Sequence, residues 1–187
     1  MADKKVYILL TDTGSFFTKL IKLYTKQPYN HASISFDRQL TEVYSFGRKK
    51  IANPFQAGFV KEDMKQELFQ QAACAIYTID VTEEQWTKMK QLVEKMKAQQ
   101  DAYRYNFIGL FGYIMKKPIK RKKALFCSEF VATVLKEGNL MDIDLSPSLI
   151  APSDFQRVLE WKQLYEGKLK YYPGNKKGNN RYIPIVH

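Results

Sequence analysis

The stretch Tyr29–Phe36, with the sequence YNHASISF, determines the first part of the fold. From His31 onwards polar and apolar side chains alternate, which is the period-two pattern of a half-buried β-strand. His31, Ser33 and Ser35 therefore share one face of that strand. An Asp-Arg-Gln turn and a second strand over Leu40–Phe46 complete a predicted antiparallel hairpin.

A second stretch, Phe126–Leu135 with the sequence FCSEFVATVL, predicts an amphipathic helix that is closed by Gly138. Cys127 stands at or just before the first turn of this helix. Backbone N–H groups and the helix dipole favour an anion there, so a thiolate at this place has a pKa below the ~8.5 of a free thiol. Cys74 lies inside an apolar strand pattern and is interpreted as a packed core residue.

The remaining pattern predicts strands at Val6–Leu10 and Ala73–Asp80, and a long helix capped by Thr82 with Gln85 as its capping-box partner. Further predicted elements are an amphipathic basic helix at Ser15–Thr25, an almost wholly apolar helix at Phe107–Met115, a helix from Ser153 or Asp154 to Trp161, and an edge strand at Tyr182–Val186.

The order of these elements predicts an α+β fold, in which a small, mainly antiparallel sheet packs against helices. The chain has 187 residues, of which 45% are hydrophobic and 14% aromatic, and this composition excludes a disordered protein. No linker divides the first part of the chain. We therefore expect one domain over residues 1–165, followed by a basic C-terminal extension over residues 166–187.

The net charge of +11 comes from two local stretches. Residues 104–123 carry seven Lys or Arg and no acid, and residues 162–187 carry six with one acid. Such concentration predicts an anionic partner. An anionic membrane surface is one candidate, and the residues expected to contact it are Lys116, Lys117, Lys120, Arg121, Lys122 and Lys123.

Several classes of protein are excluded by what the sequence lacks. No apolar run approaches the ~20 residues of a transmembrane helix. Two cysteines make no disulfide framework, and two histidines without a Cys-x-x-Cys motif disfavour zinc. Without a glycine-rich nucleotide loop we expect no cofactor and no metal. No nucleic-acid-binding motif accompanies the basic stretches, which disfavours nucleic acid. We expect a cytoplasmic protein with reduced thiols.

His31 and Cys127 are the residues that this chain offers as a base and a thiol nucleophile. A third group has to orient the imidazole, and it must come from a neighbouring strand. With the turn centred on the Arg-Gln pair, Glu42 and Tyr44 share the face of His31, whereas a register shifted by one residue brings Ser45 there. The alternative is that His31 and Cys127 are ordinary strand and helix residues.

These residues resemble the permuted NlpC/P60 (papain-like) superfamily, which includes the YiiX-like cysteine hydrolases and the lecithin:retinol acyltransferase-like proteins. The resemblance rests on Tyr29–Phe36 and on Leu125–Ala132, with the histidine before the cysteine as in the permuted order. Tyr105–Phe107 and Ile150–Phe155 also resemble motifs of the family. Together these motifs span roughly residues 5–160.

The resemblance implies a permuted papain-like fold, with Cys127 as nucleophile, His31 as general base and a third polar residue on the strand after His31. At the expected spacing the hairpin lacks a clean glutamate or histidine, and Glu42 and Tyr44 straddle that position. The implied activity is that of a cysteine amidohydrolase or peptidase acting on an amide or isopeptide bond through a thioester. The alternatives are a lipid or small-molecule acyltransferase, or a non-catalytic papain-like domain that binds an anionic surface.

Overall fold

The computed structural model describes residues 4–13, 27–50, 53–106, 108, 119, 121–141, 146–157 and 161–175. The fold is α+β and is built on a six-stranded sheet. In chain order its strands are β1 (Lys4–Asp12), β2 (His31–Ser35), β3 (Val43–Lys50), β4 (Asn53–Glu62), β5 (Ala73–Val81) and β8 (Lys162–Lys168). Their spatial order is β4-β3-β2-β1-β5-β8, and every pairing is antiparallel.

A short parallel pair, β6 (Arg104–Tyr105) and β7 (Ala124–Leu125), lies outside the main sheet. The α-helices are α1 (Glu67–Gln70), α2 (Glu83–Ala98) and α3 (Cys127–Glu137). Short 3-10 helices cover Gln100–Ala102, Pro147–Leu149, Pro152–Arg157, Leu169–Tyr171 and Pro173–Asn175. Within the described part of the chain, no helix is long and apolar enough to cross a lipid bilayer.

The sheet is covered on both faces. Alternate side chains of β1 enter two different apolar clusters, with Ile8 on the side of α2 and α3 and Leu9 on the opposite side. Helix α3 is buried along most of its length, and its Phe130 ring lies 5.4 Å from the ring of Phe46. Burying one such side chain stabilises the fold by roughly 1.5–3 kcal/mol. This packing fixes the start of α3, and therefore Cys127, against the sheet.

The predicted hairpin is present, but its register differs by one residue from the prediction. Ile34 pairs with Tyr44, and the second strand begins at Val43 rather than at Leu40. Leu40 has a φ of 57°, which is outside the extended region that a strand requires. The loop is wider than predicted because the Asp37 carboxylate accepts the backbone N–H groups of the two residues that precede β3.

Two strands of the sheet were not predicted, β4 and β8. Because β8 pairs with β5, a domain boundary after residue 165 falls inside a strand of the main sheet. The capping box of Thr82 and Gln85 and the end of α3 at Gly138 confirm two predictions. The predicted elements at Ser15–Thr25, Phe107–Met115 (apart from Ile108) and Tyr182–Val186 lie outside the described residues, and the helix predicted up to Trp161 is a 3-10 helix as far as Arg157.

Candidate active site

Cys127 is the first residue of α3 and is only 4% exposed. The first turn of this helix is held by its own side chains. The Phe126 backbone N–H donates to Glu129 Oε2 at 3.4 Å, and Ser128 Oγ donates to the Ile150 carbonyl at 2.5 Å. Hydrogen bonding from the backbone N–H of Ser128 lowers the pKa of the Cys127 thiol. The thiol therefore lies at the positive end of a rigid helix.

His31 is the first residue of β2, and its imidazole lies between Cys127 and Glu62. Hydrogen bonding and charge at the Cys127 side chain raise the pKa of the ring, and its Nε2 lies 2.7 Å from Glu62 Oε1. The backbone N–H of Ala32, the next residue of β2, also lowers the pKa of Cys127 by hydrogen bonding. The structure thus brings together the two residues that the sequence analysis paired, and adds a carboxylate on the far side of the ring.

Glu62 is the last residue of β4, which is separated from β2 by β3. Its side chain is 5% exposed and accepts hydrogen bonds on both oxygens. Ser33 Oγ donates to Oε2 at 2.6 Å, and Ser45 Oγ donates to Oε1 at 2.6 Å. With His31 Nε2, three donors from two strands surround one buried carboxylate.

Burial and charge act against each other on all three groups. Burial alone would lower the pKa of His31, but the charges of Glu62 and Cys127 and the hydrogen bonds to both raise it to about 10. Burial raises the pKa of Cys127, but His31 and the N–H groups of Ala32 and Ser128 lower it more. The pKa of Glu62 is likewise held below its ordinary value, because His31 and the two serine hydroxyls outweigh burial. These shifts favour an imidazolium–thiolate pair balanced by a carboxylate.

Tyr105 completes the site from β6. Its phenol interacts with Cys127 through charge and hydrogen bonding. Burial, and then the charge of Cys127, raise the pKa of Tyr105 well above its ordinary value, so the hydroxyl keeps its proton. The β6–β7 pair and the Asn106 side chain, which donates to the Ile119 carbonyl at 3.1 Å, hold this strand in place. The only sequence signal for Tyr105 was the motif at Tyr105–Phe107.

The expectation that Glu42 or Tyr44 orients His31 is corrected, because the structure places both elsewhere. The Glu42 carboxylate forms an ion pair with Lys90 of α2. Tyr44 points into the core on the other face of β3, where its ring stacks on Phe59 at 5.9 Å. Ser45, the residue expected after a register shift of one, does lie at the site. It donates to Glu62 and supports the ring indirectly.

Of the basic run, the six Lys and Arg residues at positions 116–123, the structure describes Arg121, Lys122 and Lys123. All three are exposed. Lys123 Nζ donates to Gln99 Oε1 at 2.9 Å. The groups that lower the pKa of Cys127 most are His31 and the backbone N–H groups of Ala32 and Ser128, and not these three cations. Lys116, Lys117 and Lys120 lie outside the described residues.

The arrangement has the parts of a thiol nucleophile: an acidified cysteine, an imidazole within hydrogen-bond reach and a carboxylate that orients the ring. Among the described residues, no group of three or more His, Cys, Asp or Glu side chains is arranged to hold a metal ion. The chain matches no model of a known protein family, no curated protein and no solved structure with which it was compared.

Proposed function

We propose that the chain is a cysteine amidohydrolase or peptidase that cleaves an amide or isopeptide bond through a thioester on Cys127. The observation that carries this proposal is the placement of the buried His31 imidazole between Cys127, which shifts its pKa, and the Glu62 carboxylate at 2.7 Å. A buried ion pair and carboxylate of this kind require desolvation, which a purely structural role does not explain. The order of histidine strand and cysteine helix also supports a permuted papain-like fold as the finer description of the α+β architecture.

In the proposed reaction the Cys127 thiolate attacks the carbonyl carbon, and a carbon–sulfur bond forms as the carbonyl becomes an oxyanion. We expect the Cys127 backbone N–H, at the start of α3, to donate to that oxyanion when a substrate is bound, with the Tyr105 hydroxyl beside it. The His31 imidazolium then gives its proton to the departing amine as the carbon–nitrogen bond breaks. Glu62 keeps the ring oriented and compensates its charge.

The second half of the reaction reverses these roles. Water attacks the thioester, His31 takes a proton from that water, and the carbon–sulfur bond breaks to release a carboxylic acid and restore the thiolate. An amine or hydroxyl in place of water would make the same site an acyltransferase. A mass spectrum after incubation with a small activated ester, with and without an added amine, separates the two, because only a transferase yields mainly the amide.

The proposal is tested by alkylating the protein with iodoacetamide at a series of pH values and locating the label. Cys127 should react at about pH 6–7, where a free thiol is nearly all protonated. Cys74 is an internal control, because burial raises its pKa to about 12 and it should stay unlabelled in the folded protein. His31→Ala should move the reactivity of Cys127 to higher pH. If Cys127 behaves as a free thiol and is indifferent to His31→Ala, the proposed activity is wrong.

The exposed cations favour a second candidate, binding to an anionic surface. Arg121, Lys122 and Lys123 form an exposed turn, and Arg104 hydrogen-bonds Lys123 through its backbone. Each basic residue near an anionic bilayer contributes roughly 1 kcal/mol, so three replacements by Gln should weaken binding to phosphatidylserine vesicles about 100-fold. An unchanged affinity would remove this candidate without affecting the first.

A further inference from the structure

Glu62, whose carboxylate orients His31, lies on β4, two strands away from β2. The intervening strand, β3, leaves space for that carboxylate to reach the histidine. Continuing the register of Ile34 with Tyr44 by three residues places Gly47 of β3 opposite His31. A Cβ atom on Gly47 would lie 3.3 Å from Ser45 Oγ and 3.6 Å from Glu62 Oε1. The Glu62 carboxylate therefore occupies the space where a side chain on β3 would otherwise face the histidine.

We propose that Ser33, Ser45 and Gly47 form a seat that positions the Glu62 carboxylate against His31. They are positioning residues, since each acts on Cys127 only through Glu62 and the imidazole. This inference rests on the proposed function, because it assigns these three residues to the support of the same nucleophile.

The burial of both serines suits them to this role. Ser33 is 1% exposed and Ser45 is fully buried, so bulk water does not reach the carboxylate from their side. Each hydroxyl donates to a different oxygen of Glu62 at 2.6 Å, the short length typical of bonds to a charged acceptor. A buried carboxylate that loses such a donor is more easily protonated.

Loss of a donor should pass along the series of bonds to the thiol. A less fully ionised Glu62 holds less positive charge on His31, and a less fully protonated His31 stabilises less thiolate on Cys127. Among the described residues, the other titratable groups that act on this series are Tyr105 of β6, beside Cys127, and Glu129 of α3, the helix of Cys127, which acts on Tyr105. The seat residues do not titrate, so changing them leaves these groups in place.

The test is the pH profile of Cys127 alkylation by iodoacetamide in serine variants of the full chain. Ser33→Ala and Ser45→Ala remove one oxygen each, and the double variant should raise the pH midpoint by at least about one unit, which lowers the rate about tenfold at pH values below the midpoint of the unchanged protein. Ser33→Thr keeps the hydroxyl and should restore the profile. Ser35→Ala is the matched control, because Ser35 is equally buried on the same strand but donates to the Asp37 carbonyl. Its profile should match that of the unchanged protein.

Gly47→Ala supplies an independent arm if a serine variant does not fold. Gly47 is not among the described glycines with a positive φ, so alanine fits its backbone and acts only through the space it fills. The midpoint should move up here too, by less than in the double serine variant. Unchanged midpoints in the folded serine variants and in Gly47→Ala would show that these three residues do not position Glu62. The proposed function would still stand in that case, provided that Cys127 of the unchanged protein reacts at pH 6–7. A Cys127 that reacts as a free thiol in the unchanged protein would overturn both.

Discussion

Replacing Glu62 by Gln changes the charge beside His31 while keeping the shape of the side chain. The Nε2 and Oε1 atoms lie 2.7 Å apart, and the centres of the two charges lie about 4 Å apart, at which distance an effective dielectric of about 20 gives roughly 4 kcal/mol. That energy corresponds to about three pKa units, an upper bound since the site relaxes. The pKa of His31, which now lies at about 10, should fall by one to three units.

A His31 with a lower pKa stabilises the Cys127 thiolate less, so the alkylation profile of Glu62→Gln should move up towards the ~8.5 of a free thiol. At pH 6.5 we expect the rate constant for iodoacetamide to fall at least about tenfold. Glu42→Gln is the matched control, because that carboxylate pairs with Lys90 instead. An unshifted profile in Glu62→Gln, or an equal shift in Glu42→Gln, would refute the assignment of Glu62 to the imidazole.

Three further predictions concern stability. Thr82→Ala removes the oxygen that caps α2 and should lower the urea-unfolding free energy by about 1 kcal/mol, where no change would contradict the cap. Gly58→Ala would place a Cβ atom 2.5 Å from the Tyr103 carbonyl oxygen and should cost about 1–3 kcal/mol, whereas a neutral effect would mean that the backbone there yields easily. The contribution of the His31–Cys127 pair should be level between pH 6.5 and 9.0, measured as the difference from His31→Ala/Cys127→Ala. Over that window the stabilisation that comes from the raised pKa of His31 decreases with pH at the same rate as the stabilisation from the lowered pKa of Cys127 increases. A slope of about 1.4 kcal/mol per pH unit in the free energy of unfolding would therefore refute the ion pair.

His31 and Cys127, the proposed nucleophilic pair, could both be located from sequence because local patterns are sufficient for each. The alternation that begins at His31 determines where β2 begins. The apolar spacing after Cys127, with Gly138 as the last signal, determines where α3 begins and ends. That the two ends meet is a tertiary fact, and the sequence supports it only through the resemblance of its motifs.

The third residue could not be located in the same way, because it depends on a turn and on a distant partner. The side chain of Asp37 widens the hairpin loop, and Leu40 adopts a left-handed conformation, so the register moves by one residue. Glu42 then faces α2, where Lys90 neutralises it over the rings of Phe36 and Tyr44. Neither the turn geometry nor the position of that lysine follows from the hairpin sequence.

Glu62 was missed because its strand carries weak strand signals. Strand β4 contains Pro54 and Gly58, which normally argue against a strand. Proline is tolerated here because β4 is an edge strand, and Gly58 is required because the Tyr103 carbonyl oxygen packs against it. An edge strand can therefore carry a site residue without showing the alternation by which strands are predicted.

The net charge and the lowered pKa of Cys127 have separate origins in the described part of the chain. The thiolate is favoured by His31 and by the N–H groups of Ala32 and Ser128, all within hydrogen-bond reach. The described cations of the basic run are exposed, and water and salt screen their charge over a distance of about 8–10 Å. A contact in a buried site outweighs several screened charges on a surface, because the effective dielectric is lower inside. The exposed basic residues therefore concern the partner that the protein binds. Glu62, with Ser33 and Ser45, concerns the proposed reactivity of Cys127.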